Sequence, residues 1–120
     1  MTNFDRTTQD VSNLLSLDHV NLTIPDQQVG TLFYVVGLGF TRDPYLTVGL
    51  VNMWMNLGYQ QFHLPTNPKA QVLRGRIGLV MPDLDQLEQR LSEVADGLAG
   101  TRFSYERGKG FINVVGPWGN

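Results

Sequence analysis

The chain contains no cysteine. That removes disulfides, thiolate metal sites and cysteine nucleophiles together. It also lacks any run of apolar residues near the roughly 18 needed to cross a bilayer as a helix. Charge is sparse, at 17% of residues, with a formal net charge of −2. No basic patch or charge run stands out, which argues against a nucleic-acid partner. The opening stretch, MTNFDRTTQDVSN, has no basic segment followed by an apolar one, so it does not read as a signal peptide. Residues 1–14 are expected to form a flexible lead-in. A soluble cytoplasmic protein without membrane attachment is the expectation.

What is present suits one compact domain. Of 120 residues, 42% are hydrophobic, enough to build a core. The most informative pattern is an internal repeat. Residues 17–26 read LDHVNLTIPD and residues 74–83 read RGRIGLVMPD. Both are short apolar runs ending in Pro-Asp. Pro25 and Pro82 lie 57 positions apart, and at that offset Leu22 meets Leu79, Ile24 meets Met81 and Asp26 meets Asp83. Proline cannot donate to a ladder, so it closes each expected strand. The aspartate suits a helix start, where its carboxylate can accept from free N–H groups.

A helix follows each time. The first is expected over 26–36, with Val29, Leu32, Phe33 and Val36 at helical spacing, ending at Gly37-Leu38-Gly39. The second is expected over 84–95, with Leu84, Leu87, Leu91, Val94 and Leu98 as its apolar stripe and Gly97 and Gly100 beyond it. Strands are expected over 40–42, 50–56 and 59–64 in the first copy, and over 101–106 and 111–115 in the second. Gly58 and Lys109-Gly110 read as hairpin turns. The segment 65–72, PTNPKAQV, is punctuated by prolines and divides module one (15–64) from module two (73–120). The expected fold class is α+β, a single domain over 15–120 built from two βαβββ modules.

These motifs together resemble the vicinal-oxygen-chelate superfamily. They are LDHVNLTIPD, a helix ending in GLGF, three strands, RGRIGLVMPDLDQLEQRL and a closing PWGN. The superfamily includes glyoxalase I, fosfomycin-resistance thiol transferases, bleomycin-resistance proteins and type I extradiol dioxygenases. The resemblance implies a glyoxalase-like cupped mixed sheet whose cup holds a divalent metal or a drug-sized ligand. It also implies that PWGN is the turn before the last strand of module two, so that strand is expected to be lacking here. Family habit further implies a homodimer.

The resemblance singles out residues as well. His19 falls where the family places a metal-ligating His or Gln, and His63 falls near its acidic ligand of module one. These are the only two histidines in the chain. Read from its neighbours alone, His19 is rather a buried, hydrogen-bonded histidine, and His63 is equally a rim histidine near Pro65. Strand alternation places Tyr59, Gln61 and His63 on one face, so Gln61 is a third candidate ligand. The offset of 57 carries His19 onto Arg76 and His63 onto Asn120. Arginine stays protonated and does not ligate metal, but it can hold a substrate carboxylate or phosphate. Arg74 and Arg76 also read as solvated strand-edge charge, and Glu106 as a surface residue. Trp54 and Tyr59 are candidate substrate contacts, and the other aromatics are mostly core.

Two functions follow from the resemblance. One is a metal-dependent lyase, isomerase, thiol transferase or dioxygenase using Fe, Mn, Ni or Zn at His19, His63 and Gln61. In it the metal would stabilise charge on two adjacent substrate oxygens. The other is a metal-free small-molecule binding protein of the bleomycin-resistance type.

Overall fold

The computed structural model describes residues 3, 5, 7, 16–47, 49 and 51–120. The expected lead-in over 1–14 therefore lies, apart from residues 3, 5 and 7, outside the described residues. Strand β1 (His19–Asn21) is short. Its extended path continues through Leu22 and Ile24, whose N–H groups donate to the carbonyls of His63 and Pro65 at 2.9 Å each. Leu22 and Ile24 are 1% and 0% exposed. Pro25 ends the pairing, and the Asp26 carboxylate accepts from the N–H groups of Gln28 and Val29. This cap starts helix α1 (Gln27–Gly30).

The expected single α-helix over 26–36 changes character after one turn. Thr31–Gly37 continues as a π-helix, with the Leu38 N–H reaching back five residues to the Phe33 carbonyl. The wider turn lets the adjacent Phe33 and Tyr34 both lie in the core, where they are 4% and 3% exposed. Gly39, at φ +84°, then takes the left-handed conformation that turns the chain out of the helix.

Strands β2 (Thr41–Arg42), β3 (Asn52–Leu57) and β4 (Gln60–Pro65) complete a four-stranded sheet in the order β1-β4-β3-β2. β1 runs parallel to β4, and the other pairs are antiparallel. The β3–β4 turn is Gly58-Tyr59, with Gly58 at φ +62°. Met53, Met55, Phe62 and Leu64 face the buried core. The alternate residues Asn52, Trp54, Asn56, Gln61 and His63 necessarily point to the other face.

Module two supplies helix α2 (Leu84–Val94), capped by Asp83, which accepts from the Gln86 N–H at 3.0 Å. Leu87, Leu91, Val94 and Leu98 are buried. They join module one in one continuous core, and α2 lies against the π-helix. A hairpin of β5 (Ser104–Arg107) and β6 (Ile112–Val115) forms a separate two-stranded sheet. Phe103, just before β5, meets Phe33 with ring centroids 5.9 Å apart. The α+β class and the two-module plan stand, with a four-stranded and a two-stranded sheet.

One expected strand is not formed. Residues 74–81, the repeat partner of β1, belong to no ladder. Leu79 is 38% exposed where its repeat partner Leu22 is 1% exposed. The reason is the absence of a neighbour: β1 pairs because β4 runs beside it, and no described strand runs beside 74–81. Sequence pattern alone does not hold a strand whose backbone groups find no partners. No helix among the described residues is long and apolar enough to cross a membrane.

Candidate binding face

The sheet face turned away from the helices carries a compact polar and aromatic group. Strand register brings it together: His19 pairs with Gln61, Asn21 with His63, Trp54 with His63, and Asn56 with Gln61. His63 and Trp54 stack with ring centroids 4.1 Å apart and planes 12° from parallel. His19 meets the Trp54 ring edge-on at 5.0 Å and lies 6.4 Å from the His63 ring. Both candidate histidines and Trp54 therefore occupy one site.

The hydrogen bonds of His63 are fully committed. Its Nδ1 meets Asn21 Oδ1 at 3.0 Å, and its Nε2 meets Asn52 Oδ1 in a short contact. A neutral imidazole has one N–H, so one of the two amides must turn its NH2 toward the ring. Burial holds the His63 pKa below its ordinary value of 6.5, and the nearby His19 lowers it further. His19 Nδ1 bonds Asp18 Oδ2 at 2.7 Å. The Gln61 amide donates to Asn56 Oδ1 at 2.7 Å and to Asp43 Oδ2 at 3.2 Å. Asp43 is held below the usual carboxylate range, first by the Leu46 N–H and then by the Tyr45 N–H.

A metal at His19, His63 and Gln61 fits this arrangement poorly. Both His63 nitrogens are already bonded to side chains and the Gln61 amide nitrogen is held by Asn56 and Asp43, which leaves His19 Nε2 and Gln61 Oε1, two donors rather than three. Among the described residues no group of three or more His, Asp or Glu side chains is placed to hold a metal ion. Histidine ligands need a free ring nitrogen, and a site of useful affinity needs about three donors.

The other candidates lie elsewhere. Tyr59 sits in the β3–β4 turn and is fully exposed. Alternation counted back from His63 placed it with Gln61, but β4 begins only at Gln60 and the turn breaks the count. Arg76 reaches across to β6, its Nη1 donating to Asn113 Oδ1 at 3.4 Å. It lines a cleft of about 630 Å³ that Phe62 also lines. Phe62 and His63 point to opposite faces of β4, so the sheet separates Arg76 from the histidines. Arg74 and Glu106 are exposed. Asn120, the repeat partner of His63, makes a structural link: it accepts from the Leu73 N–H at 2.8 Å and donates to the Gln71 carbonyl at 2.7 Å.

Asn21, Asn52, Asn56 and Asp43 belong to the site but were not singled out from the sequence. For Asn52 and Asn56 a signal was present in Asn52-Met53-Trp54-Met55-Asn56, where polar or amphipathic residues alternate with methionine as a half-buried strand requires.

No family model matches the sequence, and no curated protein matches it. Solved structures do. A structure described as a possible glyoxalase from Bacillus cereus matches with TM-score 0.63 at 19% identity, over 88% of this chain and 94% of that one. An integron cassette protein from the mobile metagenome of V. cholerae matches with TM-score 0.54 at 17% identity, over 92% and 94%. A proposed glyoxalase-family protein from Bacillus anthracis matches with TM-score 0.54 at 18% identity, over 100% and 93%. The chain has the glyoxalase-like fold of the vicinal-oxygen-chelate proteins. At these identities the likeness extends to the fold and leaves the chemistry to the site.

Proposed function

We propose that this protein binds a small, planar, hydrogen-bonding molecule on the His19–Trp54–His63 face, without a metal. The observation that carries the reading is the parallel stack of His63 on Trp54, edged by the amides of Asn21 and Asn52. A stacked pair offers a flat apolar surface, and the amides around it offer both donors and acceptors. A heteroaromatic ligand uses both. Binding, rather than catalysis, is supported because both ring nitrogens of His63 are held by Asn21 and Asn52, which keeps this imidazole from acting as an acid or base. We also place a second copy of the chain over this face, because an open sheet surface buries little of a small ligand. The cytoplasm is the proposed location, in keeping with the cysteine-free composition.

The test is a thermal-shift and tryptophan-fluorescence screen of heteroaromatic compounds against Mn, Fe, Ni and Zn salts. Heteroaromatic hits that disappear in Trp54→Ala support the reading. Stoichiometric binding of a divalent metal, lost in both His19→Ala and His63→Ala, overturns it in favour of a metal-dependent enzyme.

A further inference from the structure

The hydrogen bonds of the binding face leave a distinct set of atoms open to a ligand. A carboxylate can only accept, so the Gln61 amide must turn its NH2 toward Asp43 Oδ2, which it meets at 3.2 Å, and Asn56 Oδ1 at 2.7 Å. Its Oε1 is left without a bond to the protein. The Asn56 side chain bonds the Asp43 carboxylate in turn, so neither end of that amide is open. His19 is fixed by the same logic. Its Nδ1 carries the hydrogen toward Asp18 Oδ2 at 2.7 Å, which leaves the lone pair of the neutral ring on Nε2. The Asp18 side chain is 86% exposed and keeps its second oxygen open.

The open atoms are thus mainly acceptors, and Asp18 and Asp43 bring negative charge to either side of them. The row is continuous: the Gln61 N–H donates to the Asp18 carbonyl at 3.1 Å, while its side chain holds Asp43. Among the described residues no lysine or arginine forms a bond or ion pair with any of these side chains. The Trp54 indole adds an electron-rich ring, which attracts a cation more than a neutral group. We propose, on the planar-ligand reading above, that the ligand is a planar cation rich in N–H donors, of the amidinium or protonated aminoheterocycle class. Its ring lies against the Trp54–His63 pair, and its N–H groups reach Gln61 Oε1, His19 Nε2 and the open oxygen of Asp18. Asp43, whose oxygens are taken by Tyr45, Leu46, Gln61 and Asn56, acts through its charge alone. An anion of the same shape meets acceptors and like charge.

The probes are benzamidine, benzamide and benzoate, which share one shape and carry positive, zero and negative charge near neutral pH. Each is titrated into the isotope-labelled protein, and the backbone amides and the Trp54 indole N–H are followed by NMR. Benzamidine is expected to shift Trp54, Gln61 and His63 saturably and to bind about tenfold tighter than benzamide, while benzoate does not saturate. About 0.5 M sodium chloride should erode the preference. Asp18→Asn, which keeps an acceptor for His19, should weaken benzamidine about threefold and leave benzamide unchanged. Asp43→Asn should weaken benzamidine as well. Benzamide or benzoate binding as tightly as benzamidine, with shifts that Trp54→Ala abolishes, overturns the charge assignment and leaves the planar-ligand reading standing. A preference for benzamidine that neither salt nor Asp18→Asn reduces also overturns it, because charge is then not its source. The absence of a saturable shift at Trp54 with all three probes overturns both.

Discussion

His63 lies parallel to Trp54 at 4.1 Å, and His19 stands edge-on to the same indole at 5.0 Å. The indole is thus a direct reporter on the charge of its neighbour, because an imidazolium quenches tryptophan fluorescence more than an imidazole does. In a Trp118→Phe background, emission from Trp54 is expected to fall on acidification with a midpoint below 6.5. Burial first, and His19 second, disfavour the protonated His63. His19→Ala removes a positive neighbour and some burial, so the midpoint should move upward. A midpoint above 6.5, or one indifferent to His19, would contradict this geometry.

The same shift fixes the sign of a stability change. The folded pKa of His63 lies below the 6.5 of the unfolded chain. Between these values the unfolded state binds more protons, so stability rises with pH across that window. It is fully present above 6.5 and is lost as pH falls toward the folded value. Urea midpoints at pH 7.5 and 5.5 check this: the wild type should lose stability on acidification, and His63→Gln should lose less. The upper end of the window, at 6.5, lies above the usual carboxylate range.

The Pro-Asp punctuation predicts both helix starts, and the structure places a capping aspartate at each. Asp26→Ala and Asp83→Ala are each expected to cost about 1 kcal/mol, measured by urea unfolding. Asn at either position should recover most of it, because its side-chain oxygen can accept the same N–H bonds. Asp26 accepts two such bonds and Asp83 one, so the loss at Asp26 should be the larger.

What was legible in the sequence was local. The caps, both helices and the hairpin glycines Gly58 and Gly110 followed from residue type and spacing. The family resemblance singled out His19 and His63, which the structure brings within 6.4 Å of each other, ring to ring. The π-helical turn was not legible, since the apolar spacing of Leu32, Phe33 and Val36 suits an ordinary helix equally well. Nor was the loss of strand pairing at 74–81, because pairing depends on a neighbour that the segment's own residues do not encode. Arg76 was placed by repeat arithmetic on the partner position of His19. The sheet puts it on the other side, because the two modules do not present their matching faces to one site.

The broken repeat offers the sharpest stability comparison. Leu22 and Leu79 occupy equivalent positions, yet one is 1% and the other 38% exposed. Leu22→Ala removes a fully packed side chain and leaves a cavity beneath the sheet, at an expected cost of about 2–5 kcal/mol. Leu79→Ala trims a residue that borders an open cleft, where the surrounding contacts are fewer, and should cost less than about 1 kcal/mol. Urea unfolding of the two variants measures both. Equal costs would mean that residues 74–81 are packed as β1 is.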